Sequence, residues 1–135
     1  MTEYSSGIQQ IPYAAERIFN KLSDLNNLES LRAQLEGKVK EFTFDADSCQ
    51  FKVDPVGLVG IRIVEREPYK TIKLQSVKSP VEFLGWIQLV EDSPESTRMK
   101  LTFRADIPFF LKSMISGKVE EGINTLASVL ASLTY

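Results

Sequence analysis

The clearest pattern in the chain is an alternation. From Thr97 to Ala105 the odd positions are mostly apolar and the even positions mostly polar. That is the period of a strand with one face on a core and the other in water. Val59, Ile61 and Ile63 alternate more weakly with Gly60, Arg62 and Val64, and Phe42-Phe44 and Phe51-Val53 add inward pairs. Between Val39 and Asp106 helical periodicity is absent. Turn signals recur instead at Asp45-Ala46-Asp47-Ser48, Asp54-Pro55-Val56-Gly57, Glu67-Pro68-Tyr69-Lys70, Lys78-Ser79-Pro80 and Asp92-Ser93-Pro94-Glu95-Ser96. Their spacing predicts a meander of six strands. Phe83 to Val90 is apolar on both faces, as in a central strand or in one whose outer face is an interface.

Other periods flank this region. Tyr4 to Ile11 alternates loosely, with Tyr4, Ser6 and Ile8 on one side, and reads as a strand that Pro12 ends. Ala14 to Leu22 predicts a short helix, because Ala15, Ile18, Phe19 and Leu22 share a face. Asn26 and Glu29 have capping-box spacing, which predicts a second short helix from Leu28 to Leu35 with Gly37 as its C-cap. A long helix opens at Ile107-Pro108. Leu111, Ile115, Val119, Gly122, Leu126, Val129, Leu130 and Leu133 form one stripe along it, opposite Lys112, Ser116, Glu120, Asn124 and Ser128. The stripe requires an apolar partner, and the sheet is the large one available.

Composition narrows the functions. The chain has 135 residues, 43% hydrophobic and 25% charged, with a net charge of −2. This suits one domain spanning 1–135, without a linker or repeat. No basic footprint for nucleic acid stands out. With one cysteine, Cys49, and no histidine, there is no internal disulfide, no Cys-based zinc cluster, and no Ser-His-Asp or Cys-His site. No metal or cofactor is expected. No apolar run approaches the ~20 residues of a membrane span. The first residues, Met1-Thr2-Glu3-Tyr4-Ser5, do not read as a signal peptide, so a cytoplasmic protein is expected.

The predicted order is β-α-α-β6-α. It describes an α+β domain in which a seven-stranded curved antiparallel sheet holds a long C-terminal helix. That order resembles the helix-grip fold of the START/Bet v 1-like superfamily, which also includes polyketide cyclase/dehydrase-like proteins. Residues 11–19, Ile11-Pro12-Tyr13-Ala14-Ala15-Glu16-Arg17-Ile18-Phe19, resemble its lead into the first helix. Residues 57–70 resemble its central hairpin, and 97–103 its last strand. These are packing and turn patterns, and none is a catalytic signature. The resemblance implies an apolar cavity between sheet and helix, for a lipid or other small hydrophobic metabolite.

On this reading the cavity would be lined by Phe42, Phe51, Ile61, Ile63, Leu74, Trp86, Met99, Phe103, Phe110, Met114 and Gly122. A glycine costs ~1 kcal/mol in a helix interior. Gly122, on the stripe, therefore leaves room either for a ligand or for close approach of a bulky sheet residue. Phe109-Phe110-Leu111 and Met114 either close the core, gate the cavity or support a homodimer. Acid–base work without histidine would fall to Glu65, Glu82, Tyr69 or Tyr13, although no catalytic set is assigned. Arg62, Arg66 and Arg104 would meet an acidic head group or form ordinary ion pairs, with Glu65 or Asp106 as partners. Gly57-Leu58-Val59-Gly60 is too short for a phosphate loop. Three functions follow in order: a binder of a small hydrophobic molecule, a protein-interaction module using Trp86, and a cyclase- or dehydratase-type enzyme.

Overall fold

The computed structural model describes residues 2–31, 40–53 and 57–135. Among the described residues, eight strands form one antiparallel sheet. They are β1 (Thr2–Ser5), β2 (Gln9–Ile11), β3 (Lys40–Phe44), β4 (Ser48–Val53), β5 (Gly57–Glu67), β6 (Thr71–Val77), β7 (Phe83–Ser93) and β8 (Ser96–Ala105). The order across the sheet is β1-β8-β7-β6-β5-β4-β3, with β2 also on β8. The helices are α1 (Ala15–Leu22), a 3-10 helix (Leu25–Leu31) and α2 (Phe109–Ala131). The α+β order β-α-α-β6-α is thus the observed one, with its first strand in two pieces.

Ser6 makes the break. Its N–H donates to the Leu101 carbonyl at 2.9 Å, and its hydroxyl accepts from the Leu101 N–H at 2.9 Å. One residue thereby uses both backbone groups of its partner, and the ladder resumes only at Gln9 opposite Met99. Tyr4 and Ser6 stay inside, while Ile8 turns out to solvent, contrary to the alternation.

α1 follows its period: Ala15, Ile18, Phe19 and Leu22 are all buried. The next helix differs from expectation. It starts at Leu25, and the Asp24 carboxylate accepts from the Asn26 N–H at 3.0 Å, so Asp24 rather than Asn26 does the capping. The predicted C-terminal half of that helix, Gly37, and the Asp54-Pro55-Val56 turn lie outside the described residues.

Strand pairing defines two faces. Cys49 lies opposite Ile61, Ile63 opposite Leu74, Ile72 opposite Ile87, and Leu89 opposite Met99. These side chains form one concave apolar surface and, with α1, Ala127, Leu130 and Tyr135, the larger core cluster. A smaller cluster of Tyr4, Val59, Val81, Phe83, Ala105, Ile107 and Ile115 closes the other end.

Candidate functional site

The position of α2 determines what the sheet leaves uncovered. The main close approaches of its backbone are to β1, β2 and β8. Its supposedly outward polar residues make those contacts. The Tyr4 and Ser116 hydroxyls are 2.8 Å apart, Gly7 N–H donates to Asn124 Oδ1 at 2.9 Å, and Gln9 Nε2 donates to Ser128 Oγ at 3.4 Å. The expected stripe still faces the core for the most part, since Leu111, Ile115, Val119, Val129, Leu130 and Leu133 are buried or packed against the core clusters, and the helix is turned only far enough to uncover Gly122 and Leu126. Ile115, Ala127 and Leu130 are buried, whereas Gly122 is exposed and Leu126 is 37% exposed. Gly122 and Leu126 lie two residues either side of Asn124, hence ~160° around the helix from it. They occupy the flank turned away from β1 and β2. Among the described residues nothing lies within 4 Å of where a Gly122 β-carbon would stand.

Across from the well-covered strands, the concave surface is only half covered. Phe42 and Phe44 on β3, Phe51 on β4, Ile61 on β5 and Leu74 on β6 are half-buried. Phe42 stacks on Phe51 with ring centres 5.8 Å apart and meets Phe44 edge-on at 5.3 Å. Ile123 of α2, beside Gly122, packs against both core clusters, as do Phe51 and Ile61. The result is an apolar surface walled by aromatic rings, next to the uncovered helix flank.

Among the described residues, two charged side chains stand at inward positions of β4 to β8, and both are held at the α1 end: Glu91, opposite buried Thr97, accepts from the Ala15 N–H at 2.9 Å, and Arg66 is bonded as described below. The one thiol, Cys49, is buried, and burial with a smaller push from the Asp45 charge raises its pKa to about 11. Asp45 itself is held below the usual carboxylate value by donors from its own turn, the Asp47 N–H first and then the Ser48 hydroxyl and N–H. Arg66 stands at the closed end. A register shift between Ile63 and Glu65 puts Arg66 opposite Ile72, so Arg66 and Arg62 do not share a face. Arg66 donates to the Ser23 carbonyl at 2.9 Å and to Asp47 at 2.6 Å. It thus pins the end of α1, and Asp47 is its partner rather than Glu65 or Asp106. Arg104 pairs with Glu3 at 3.4 Å.

The expected lining residues divide. Phe42, Phe51, Ile61, Ile63, Leu74, Met99 and Phe103 all lie on the concave side, with Ile63 and Met99 sealed in the core. Trp86 does not. It pairs with Lys73 and Thr102 on the convex face, where the Lys73 amine sits 5.8 Å from its ring. Both faces of β7 are apolar, so its own residues could not reveal which was inside. Phe110 and Met114 are 74% and 61% exposed at the start of α2, and Gly122 is exposed as described. Neither Phe110 nor Met114 closes the core. Glu82 and Glu65 are exposed, and Tyr69 sits in an exposed turn edge-on to Phe19. Tyr13 packs edge-on against Tyr135. A separate shallow polar cleft of about 290 Å³, with Gln75, Lys78, Ser79 and Glu82 among its walls, lies where β6 passes into β7. Phe44 is the lining residue the sequence reading left out. Its apolar pairing with Phe42 was visible, but the stacking of Phe42 on Phe51 was not.

Solved structures share this architecture. A truncated norcoclaurine synthase from Thalictrum flavum superposes with a TM-score of 0.74 at 11% identity, covering 97% of this chain and 92% of that one. A START superfamily protein from Mycobacterium smegmatis gives 0.66 at 14% identity, covering 98% and 99%. The chain has the START/Bet v 1-like helix-grip fold. A conserved protein from Geobacillus kaustophilus matches this fold too, with a TM-score of 0.69 at 16% identity over 96% of this chain and 92% of that one. No family model matches the sequence, and no curated protein does. Among the described residues, no helix is long and apolar enough to cross a membrane.

Proposed function

We propose that the chain binds a small, uncharged hydrophobic molecule in the groove between the concave face of β3–β6 and the Gly122–Leu126 flank of α2. The observation that carries this reading is the half-covered set Phe42, Phe44, Phe51, Ile61 and Leu74. A well-packed core leaves few such surfaces unfilled, and ligand sites are concave and mainly apolar. An uncharged ligand suits the groove because the inward positions of β4–β8 offer no free charge to pair with an ionised one. Norcoclaurine synthase, a protein of the same fold, has been solved with dopamine and hydroxybenzaldehyde. The candidate acid–base groups Glu65, Glu82 and Tyr69 stand outside the groove, which favours carriage over catalysis. A cytoplasmic location goes with this reading.

Native mass spectrometry of the purified protein, followed by denaturing extraction, tests it. A co-purifying neutral apolar molecule, at a fixed ratio to the chain, is the expected result. If the protein also stays ligand-free after exposure to a panel of neutral aromatic and aliphatic compounds, the reading fails.

A further inference from the structure

The backbone pairing of β6 with β7 ends at Gln75 and Leu84. One residue further a side chain takes over, and the Phe83 N–H donates to the Ser76 hydroxyl at 3.0 Å. Ser76 pairs directly with Ile61 and stands two residues beyond Leu74. Strand alternation therefore puts its side chain on the concave face with both of these groove residues. The register carries the same row on through Cys49 to Phe44, so a hydroxyl interrupts a row that is otherwise apolar. Ser76 is half-buried, and it is also one wall of the cleft where β6 passes into β7. Open space thus borders it.

This hydroxyl is half satisfied. Its oxygen accepts from Phe83, but among the described residues its own proton meets no acceptor. Accepting one hydrogen bond polarises a hydroxyl and strengthens it as a donor. The charges on the cleft walls, Lys78 and Glu82, are exposed and of opposite sign, so they favour neither an anion nor a cation. A neutral acceptor is the group that fits.

We propose that Ser76 determines the specificity of the groove by donating its proton to a carbonyl oxygen of the hydrophobic ligand. This rests on the groove reading above and narrows it to apolar ketones, esters and amides. With strands ~4.8 Å apart, Ser76 on β6 lies about 10 Å from β4. A two-ring skeleton resting on Phe51 and Ile61 spans that distance and brings its carbonyl to Ser76.

Displacement of bound N-phenyl-1-naphthylamine by two compounds of one shape tests it. They are 2-acetylnaphthalene and 2-ethylnaphthalene, which lacks the oxygen. In wild type the ketone is expected to compete at least fivefold more tightly, roughly the net effect of one hydrogen bond. Ser76→Ala should abolish that ratio and leave 2-ethylnaphthalene binding unchanged, whereas Ser76→Thr, which keeps the hydroxyl, should retain it. The proposal is overturned if wild type binds the two compounds equally or prefers the hydrocarbon, a comparison that needs no variant to fold. It is also overturned by a ratio that survives in Ser76→Ala. In those cases the groove stands and only the role of Ser76 falls. If neither the fluorophore nor the two compounds bind wild type, the groove reading fails and takes this proposal with it.

Discussion

At Gly60 a β-carbon would run into the Val77 carbonyl of the neighbouring strand, and backbone there cannot move aside cheaply. At Gly122 it would enter open space. Alanine should therefore act in opposite directions at the two sites. Gly60→Ala is expected to cost about 2 kcal/mol or more, as strain at a packed backbone does. Gly122→Ala should gain up to about 1 kcal/mol from helix propensity. Urea titrations of both variants check the pair. Cys49 provides a third residue-scale prediction. Its thiol pKa is raised in the folded protein to about 11 from an ordinary 9.0. Above pH 9 the unfolded chain therefore loses this proton first, and deprotonation favours unfolding. The contribution is complete below pH 9 and is lost as the pH rises to 11. Wild type should lose on the order of 2 kcal/mol more than Cys49→Ala across that window, which parallel denaturations at pH 8 and pH 11 measure.

Among the elements, α2 shows how a stripe can be right along most of its length and still miss how far the helix turns. Its stripe was legible because leucines and valines recur on one side of the wheel. Its rotation was not, because Ser116, Asn124 and Ser128 look like a solvent face until strands β1 and β2 supply hydrogen-bond partners for them. Those partners come from more than a hundred residues away, where no local pattern reaches. Tyr4→Phe should lower stability by about 1 kcal/mol, since it removes the part-buried bond to Ser116. Chemical denaturation measures this, and Ser116→Ala in the Tyr4→Phe background should add little. Strand β8 was the opposite case. One face meets water and the other the core, so alternation alone oriented it. β7 lies between, for its outer face holds Leu84 and Trp86, the latter under the Lys73 amine, and only the register with β6 and β8 decides which side is inside.

At the scale of the whole molecule the sheet and its helix were predictable, because turn residues and two clear periods specified their order. The groove was not, since it depends on where α2 leans. Because α2 holds to β1, β2 and β8, Phe42, Phe44 and Phe51 stay partly bare opposite the flank marked by Gly122. Filling that flank is the most direct test. Titration of wild type and Gly122→Leu with the neutral fluorophore N-phenyl-1-naphthylamine compares the groove open and occupied. Saturable binding by wild type is predicted, with affinity at least tenfold weaker in Gly122→Leu and a melting temperature no lower than wild type. Equal affinity in the two proteins, or no saturable binding by wild type, would contradict a ligand groove beneath α2.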